Sequence, residues 1–434
     1  MPFYDRSHSA QMTTKTTTTK GSWTRMAPSH LAANTSNPIR KIVDNIKMPA
    51  HSDKELIRLS LGDPTVFGNL NCPDVLTEAV VANVRSVKHN GYIHSAGTEA
   101  ARAAIATAYG HPVTHPLTKD DIIIASGGSG ALDIAITGLV NPGENILLPK
   151  PAFSLYQVIC DAHKIETRYY DLVPERNWEA DLTQMASLID SKTRAILVNN
   201  PSNPCGSVYS KAHLNGILGV AEAHHVPIIA DEIYGDMTFG DSVFYPMASL
   251  TTTVPVISCA GLAKLFAVPG WRVGWIAVHD RNNVLADIRD AYFKLSTLIL
   301  GANSLVQSAI PTVLTPTKGS PEEKSLSAFK KSYYDVLEAN AQFTLTALAK
   351  IRGLKVVVPQ GAMYVMVGID TAILKDIADD FDFTQKLLSE ESVLVLPGQC
   401  FGIDNYFRVV FSAPQAKLGE AYDRIARFCA RHSA

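Results

Sequence analysis

Between residues 120 and 260 the chain repeatedly places a short, continuous run of apolar residues before a longer stretch with helical periodicity. Continuous apolar runs, rather than strict alternation, are typical of strands buried on both faces of a mostly parallel sheet. Strands that alternate with helices in this way predict an α/β layer architecture. The predicted strands are 121–125, 145–148, 194–198, 226–230 and 256–259, and the clearest helices between them are 131–140 and 153–163.

The pattern changes near Pro321. A helical stretch reaches about residue 350, strand-like runs follow, and a closing helix starts at about 416, which predicts a second, smaller α+β domain. The strand-like runs are 356–358, 363–367 and 407–411. The predicted organisation is a flexible tail at 1–36, an N-terminal arm with part of the small domain at 37–75, a large cofactor-binding domain at 76–320 and a small C-terminal domain at 321–434.

Charge and polarity narrow the function. The 434 residues hold 39 Lys and Arg against 41 Asp and Glu, which disfavours a nucleic-acid binder because such proteins need a basic surface. The longest uncharged stretch, 295–317, contains Asn303, Pro311 and several Ser and Thr, so we predict no membrane-spanning helix. Charged residues make up only 18%, a fraction that favours buried surface in a subunit interface.

Six widely spaced cysteines without a CxxC pair indicate free thiols in a reducing compartment, and we predict a cytoplasmic protein. A chain of this length buries enough core to need neither disulfides nor a structural metal. Residues 1–36 are rich in Thr and Ser and carry too little apolar surface to fold alone. Their basic, acid-poor composition leaves a mitochondrial transit peptide open, although the arginine content is low for one.

The residues that follow each predicted strand are the first candidates for chemistry, because ligands of open α/β sheets bind beyond the carboxyl ends of the strands. The Gly/Ser turn at 126–130 could present helix N–H groups to a phosphate, or could be a plain tight turn. It matches neither the dinucleotide fingerprint nor the nucleophile elbow. Asn203, in the Pro- and Gly-rich turn 199–206, could offer its amide to a ligand oxygen or form an Asx turn.

Two further strand ends carry charged side chains. Asp231 and Tyr234 follow an apolar strand, where a buried carboxylate needs a cation or strong donors, with a helix N-cap as the alternative. Lys264 lies among Ala, Leu and Phe, a setting that would desolvate its amine as Schiff-base lysines require. Arg272 follows in a predicted strand rich in Gly and Trp. The alternative for both Lys264 and Arg272 is a snorkelling side chain, which buries its apolar stem and keeps its charge in water.

These groups together describe one ligand, because they supply an anion cradle, a carboxylate for a pyridinium nitrogen, donors for a ring oxygen and a lysine for an aldehyde. That ligand is pyridoxal 5′-phosphate. From about Asn37 onward the sequence is similar to the fold-type I pyridoxal-phosphate aminotransferases of the aspartate aminotransferase superfamily, and it resembles the tyrosine aminotransferases most. The segments that carry the resemblance are Asn37-Pro-Ile-Arg40, 61–70, 199–207, 230–237, 261–264, 268–275 and Gly361-Ala-Met-Tyr364.

The resemblance implies a role for each matching position around the cofactor ring. Lys264 would form the Schiff base and then move a proton between the substrate and the cofactor. Asp231 would pair with the ring nitrogen, and Asn203 and Tyr234 would hold the ring oxygen. Phe153 would stack on the ring face, where some relatives use Trp.

The resemblance also implies how the phosphate is held and how subunits combine. The backbone N–H groups of Gly128 and Ser129 would bind the phosphate together with Arg272. Tyr92 would reach the phosphate of the partner subunit, which implies a homodimer with shared active sites.

For the substrates, the resemblance implies that Arg408 grips the α-carboxylate, assisted by the backbone of Gly62. Gly261 stands where aspartate aminotransferases have a phosphate-binding Ser, and no arginine occurs between Arg289 and Arg352 to clamp a side-chain carboxylate. We therefore expect an aminotransferase that moves the amino group of tyrosine, or a related aromatic amino acid, to a 2-oxo acid in a ping-pong cycle. The acceptor stays open between 2-oxoglutarate, pyruvate and oxaloacetate. An alanine- or kynurenine-type aminotransferase, a C–S lyase of the same fold and an inactive relative are the alternatives.

Overall fold

The strands of the described residues form three sheets, of eight, four and two strands. The structure is a computed structural model and describes residues 25–48 and 53–433. The strands of these residues are β1 (Ile57–Arg58), β2 (Ile122–Ser126), β3 (Asn145–Lys150), β4 (Glu166–Val173), β5 (Glu179–Ala180), β6 (Thr193–Asn199), β7 (Ile228–Asp231), β8 (Val256–Gly261), β9 (Val273–His279), β10 (Leu354–Val356), β11 (Tyr364–Ile369), β12 (Val393–Leu394), β13 (Leu396–Pro397) and β14 (Tyr406–Val410).

The large sheet has eight strands in the order β2-β9-β8-β7-β6-β3-β4-β5. Strands β4, β3, β6, β7 and β8 run parallel to one another, whereas β9 is antiparallel to both β2 and β8. The register aligns Asn199 with Asp231 and Asp231 with Cys259. The carboxyl ends of three neighbouring parallel strands therefore meet at one edge of the sheet.

Both faces of this sheet are buried, as continuous apolar strands require. Successive side chains of a strand point to opposite faces. Accordingly, Ile146 and Leu148 belong to one hydrophobic cluster and Leu147 to another. Strand β6 divides in the same way, with Leu197 in the first cluster and Val198 in the second. The predicted α/β fold with a mostly parallel central sheet is confirmed.

Helices cover the sheet and form most of the remaining structure. They start at conventional signals: Ser320 accepts a hydrogen bond from the Glu323 N–H and precedes Pro321, and Ser210 accepts one from His213. The helices of the described residues are α1 (His30–Asn34), α2 (Pro38–Val43), α3 (Asp74–Ser86), α4 (Glu99–Tyr109), α5 (Gly127–Thr137), α6 (Leu155–His163), α7 (Leu182–Ser187), α8 (Lys211–His224), α9 (Leu262–Leu265), α10 (Ala286–Ser296), α11 (Ser304–Gln307), α12 (Ile310–Leu314), α13 (Pro321–Leu348), α14 (Asp380–Glu391) and α15 (Gln415–His432).

A smaller antiparallel sheet, in the order β10-β11-β14-β13, packs with α13 and α14, and α15 packs on these two helices. Helix α15 buries an apolar stripe at helical spacing, with Leu418, Ile425 and Phe428 inside. The short strand β1 pairs in parallel with β12, so a segment from the N-terminal part of the chain lies beside elements of the C-terminal part. The predicted domain boundaries stay a prediction.

Several element boundaries differ from the predictions. Helix α5 begins at Gly127 rather than 131, because the glycines belong to its first turn. Arg272 was predicted within a strand, but it lies just before β9 with a φ of 55°. Strand β10 ends at Val356, where the predicted strand begins.

Two further predictions concern the N-terminal tail and membrane-spanning helices. Of the predicted tail, residues 1–24 lie outside the described residues, as does the transit-peptide alternative, and 30–34 form the short exposed helix α1. Among the residues the structure describes, no helix is both long and apolar enough to cross a bilayer.

Candidate functional site

A cavity of ≈ 290 Å³ lies at the carboxyl ends of the parallel strands, where the small sheet faces the large one. Strand β14 contributes to it from the small sheet, and β7 contributes from the large sheet. All but one of the predicted site residues line this cavity. They are Gly62, Gly128, Ser129, Phe153, Asn203, Asp231, Tyr234, Lys264, Arg272 and Arg408.

One end of the cavity is built to receive an anion. Helix α5 starts there without a side-chain cap, so its first N–H groups and the positive end of its dipole face the cavity. The Arg272 guanidinium lies against the same turn, since a Cβ built on Gly127 would approach it to 2.7 Å. Strand β9 passes so close that a Cβ on Gly274 would come within 2.5 Å of the α5 backbone. A helix N-terminus and a guanidinium at the same end of a cavity fit a phosphate.

Packing also explains the glycine at position 261. A Cβ there would lie 2.8 Å from the Val273 carbonyl oxygen and 2.9 Å from the Gly274 Cα. A serine would therefore require β8 and β9 to separate at the anion-binding end of the cavity.

The Asp231 carboxylate ends β7 and is only 4% exposed. The Tyr156 hydroxyl donates to its Oδ2 at 2.5 Å, and the Ile233 N–H donates to its Oδ1 at 3.3 Å. No cation pairs with it among the described residues. Burial raises the pKa of Asp231 to about 6, against the effect of its two donors. No helix begins here, so the N-cap alternative is wrong, and a protonated nitrogen of a ligand would supply the missing counter-charge.

Arg408 on β14 is a buried cation without a carboxylate partner in the described chain. It donates to the Asn203 Oδ1 at 2.8 Å and to the Ser60 carbonyl at 2.7 Å, while its Nε has no partner. The rings of Tyr364 and Phe401 lie 4.5 and 4.7 Å from its guanidinium carbon. Burial lowers the pKa of Arg408 from its ordinary value. A buried guanidinium that lines a cavity and has no carboxylate partner among the described residues fits a carboxylate ligand.

The turn that carries Asn203 is closed by a different side chain from the one predicted. The Asn199 Oδ1 accepts a hydrogen bond from the Asn203 N–H at 2.7 Å, and the Asn199 amide donates to the Asp231 carbonyl oxygen at 3.0 Å. The Asx-turn alternative for the Asn203 side chain is therefore wrong. Its amide is left to face the cavity and Arg408.

Lys264 on α9 lines the cavity. Its Nζ donates to the Gly62 carbonyl oxygen and lies 6.0 Å from the centre of the Tyr234 ring. The side chain is half-buried, so the amine is less enclosed than its apolar sequence neighbours predicted. The Tyr234 and Tyr364 hydroxyls are hydrogen-bonded to each other at 2.6 Å.

Sequence reasoning missed two tyrosines of this site. Tyr156 lies three residues after Phe153, both of them line the cavity, and their rings are 5.7 Å apart. Helical spacing could therefore have indicated it. Tyr364 belongs to the segment 361–364, which carries part of the family resemblance. Its contacts with Tyr234 and Arg408 nevertheless depend on the packing of the two sheets, which no local sequence pattern reveals.

Tyr92 is the one predicted site residue outside the cavity. It is 96% exposed and contacts none of the other predicted residues in this chain. Three consecutive apolar residues, Leu298, Ile299 and Leu300, are also strongly exposed.

Comparison with known proteins places these features in a family. Residues 54–425 match the family described as aminotransferase class I and II. The chain is 49% identical to tyrosine aminotransferase of Dictyostelium discoideum, over 92% of this chain and 95% of that protein. It is 47% identical to tyrosine aminotransferase of Homo sapiens, over 95% of this chain and 89% of that protein. The crystal structure of tyrosine aminotransferase from Leishmania infantum superposes with a TM-score of 0.88 at 39% identity, covering 95% of this chain and all (100%) of that one.

Proposed function

This chain belongs to the class I and II aminotransferase family, and we propose that it transfers the amino group of tyrosine to a 2-oxo acid. The family implies pyridoxal phosphate as cofactor. Relatives named tyrosine aminotransferase, at 46 to 49% identity over more than nine-tenths of the chain, support tyrosine as donor.

The residues of the cavity fit this cofactor. The uncapped start of α5 and Arg272 would hold the phosphate, and Asp231 would hold the protonated ring nitrogen. The observation that carries the fit is the buried Asp231 carboxylate, which accepts two hydrogen bonds but has no cation beside it among the described residues. Asn203 and Tyr234 would bind the ring oxygen, and Phe153 would lie on the ring face. When bound, pyridoxal phosphate supplies an aldehyde that takes up amino groups and a ring that withdraws electrons.

Lys264 is the group we assign to proton movement at the substrate α-carbon. It is the one amine that lines the cavity in the described part of the chain. Its Nζ donates a hydrogen bond to the Gly62 carbonyl oxygen, and the groups assigned to the ring and the Arg408 guanidinium line the same cavity. The same amine would hold the aldehyde carbon of the cofactor before substrate binds.

Arg408 would bind the α-carboxylate of either substrate, and its position fixes how the substrate lies. Its two aromatic neighbours and its bonds to Asn203 and Ser60 restrict the guanidinium to one orientation. The guanidinium lines the cavity and has no carboxylate partner in the described chain, so a substrate carboxylate can bind to it there.

The lining of the cavity favours an uncharged donor side chain. The cations in this lining are Lys264, Arg272 and Arg408, and each already has a role. None is left in this cavity for the side-chain carboxylate of an acidic donor. The rest of the wall includes apolar side chains such as Ile39 and Leu396, which suit an aromatic ring.

A homodimer is the assembly we propose. The exposed side chains of 298–300 form an apolar surface of the kind that a subunit interface covers. Tyr92, fully outside its own cavity, is available to the phosphate site of a partner. The cytoplasmic location stays a prediction from cysteine usage.

The test is an amino-transfer assay with tyrosine, alanine, aspartate and kynurenine as donors. We expect tyrosine to have the highest kcat/KM and Lys264→Ala to reduce transfer by roughly 10²- to 10⁴-fold or more. Lys350→Ala, a change on a different surface, is the matched control and should leave the rates unchanged. Preference for alanine, or release of ammonia without an acceptor, would contradict the proposed donor or reaction.

A further inference from the structure

A second cavity of ≈ 200 Å³ adjoins the site. Phe153 and Tyr156 line both cavities, so the two cavities meet at these side chains. Phe401 lines the second cavity while its ring contacts the Arg408 guanidinium, so this cavity begins one aromatic ring away from the proposed carboxylate-binding group. A backbone hydrogen bond from Ala152 to the Phe401 carbonyl oxygen, at 3.1 Å, joins its two sides.

Two polar side chains of this second cavity have no partner in the described chain. The Lys150 ammonium, at the end of β3, makes neither a hydrogen bond nor an ion pair, and its stem lies 3.8 Å from the position of a Cβ on Gly402. The Ser154 residue is 6% exposed, and its hydroxyl neither caps α6 nor makes any other hydrogen bond. By contrast, the Gln399 amide is already bound to Asp380 at 3.0 Å.

The roles assigned so far leave the second carboxylate of a dicarboxylic acceptor without a binding residue. A transamination cycle needs an acceptor, and a dicarboxylic 2-oxo acid carries a second carboxylate beyond the one assigned to Arg408. The cations of the first cavity are all committed. Across the linings of the two adjoining cavities, Lys150 is the remaining cation among the described residues.

We propose that the second cavity is the subsite for the distal carboxylate of a dicarboxylic 2-oxo acid acceptor, with Lys150 and Ser154 as its ligands. An ammonium and a hydroxyl are the donors that a carboxylate needs. The backbone of a five-carbon diacid spans roughly 5 Å between its terminal carbons, a length close to one aromatic ring. An aromatic donor would leave this subsite empty, so one active site could serve a neutral donor and a doubly charged acceptor. The inference rests on the function proposed above.

The experiment compares two acceptors, 2-oxoglutarate and pyruvate, with tyrosine as the donor and the complete enzyme as the sample. In Lys150→Met we expect KM for 2-oxoglutarate to rise roughly 10- to 100-fold, the loss of one charge-assisted contact. KM for pyruvate and kcat/KM for tyrosine should stay within about twofold, because neither ligand reaches the subsite. Lys150→Arg should restore most of the affinity, and Ser154→Ala should show a smaller loss in the same direction.

Lys350→Met is the matched control, since it removes a lysine that lines a separate cavity between α13 and α15. Equal losses with both acceptors in Lys150→Met would show a structural role for Lys150 and overturn the proposal. Unchanged KM for 2-oxoglutarate would also overturn the proposal, because the distal carboxylate would then bind outside this subsite. If the wild-type enzyme fails to use tyrosine with either acceptor, the result contradicts the proposed function rather than the subsite proposal.

Discussion

The buried carboxylate of Asp231 gives the sharpest quantitative prediction, because it opposes folding when the cofactor is absent. Its pKa is about 6 in the folded protein against an ordinary 3.8. Below pH 3.8 the group is protonated in the folded and unfolded chains alike. As the pH rises toward 6, the unfolded chain loses the proton first, so the folded state is progressively disfavoured. Above pH 6 this loss is complete.

Asp231→Asn removes the titrating group while keeping the size of the side chain and an acceptor for Tyr156. The difference of 2.2 between about 6 and 3.8 corresponds to about 3 kcal/mol at pH 8. The same two values give about 1.5 kcal/mol at pH 5. We therefore expect the variant without cofactor to be more stable than the wild type, and the gain to grow with pH. It should nevertheless lose transamination, because the ring nitrogen has no counter-charge.

Urea unfolding of the cofactor-free proteins at pH 5, 6, 7 and 8, followed by circular dichroism, measures this difference. Asp171→Asn, a change at an exposed carboxylate on β4, is the control and should show no comparable rise in stability with pH. A variant that is less stable than the wild type at pH 8, or a difference that does not depend on pH, would refute the reasoning about Asp231.

Three further predictions concern neighbouring parts of the molecule. Tyr156→Phe removes a hydrogen-bond donor that lowers the pKa of Asp231. The acid limb of the plot of kcat/KM against pH should therefore move up by roughly one to two pH units. A limb that does not move would contradict the role assigned to Asp231. Gly274→Ala places a Cβ 2.5 Å from the α5 backbone and should weaken cofactor binding at least about 10-fold in a spectroscopic titration, whereas Gly219→Ala, with open space around it, should not. Ile299→Asp, at a side chain 70% exposed, should shift the protein toward monomer in sedimentation velocity, with Val284→Asp, 65% exposed, as the control; a dimer that persists would place the interface elsewhere.

Most of the chemistry of the site could be predicted because it follows the strands along the chain. Asp231 and Lys264 each come directly after a continuous apolar run, and the parallel order of β6, β7 and β8 brings such positions to one edge. The apolar runs in the sequence therefore indicated which residues meet at this edge of the large sheet. The resemblance added Arg408, which has no such signal in the chain.

The contacts that tune these groups could not be predicted in this way. The partners Tyr156 and Asp231 are 75 residues apart, and Tyr234 and Tyr364 are 130 residues apart. Their pairing depends on how α6 packs on the sheet and how the two sheets face each other. The second cavity also depends on this packing, since its walls come from β3, α6 and the turn before β14.

The predicted start of helix α5 was wrong for a related reason. Gly127 has low helix propensity, yet it begins the first turn of α5, because a side chain at this position would collide with the Arg272 guanidinium. Here close packing overrides intrinsic preference.

The visible absorption spectrum of the purified enzyme, recorded before and after addition of tyrosine without any 2-oxo acid, tests the central claim most directly. We predict a band from bound pyridoxal phosphate that tyrosine alone converts to the amine form of the cofactor, with one 2-oxo acid released per site. In Lys264→Ala this conversion should be slowed by the same roughly 10²- to 10⁴-fold. A band that responds to alanine or aspartate but not to tyrosine would contradict the donor, and a protein that gains no band with added cofactor would contradict the whole assignment.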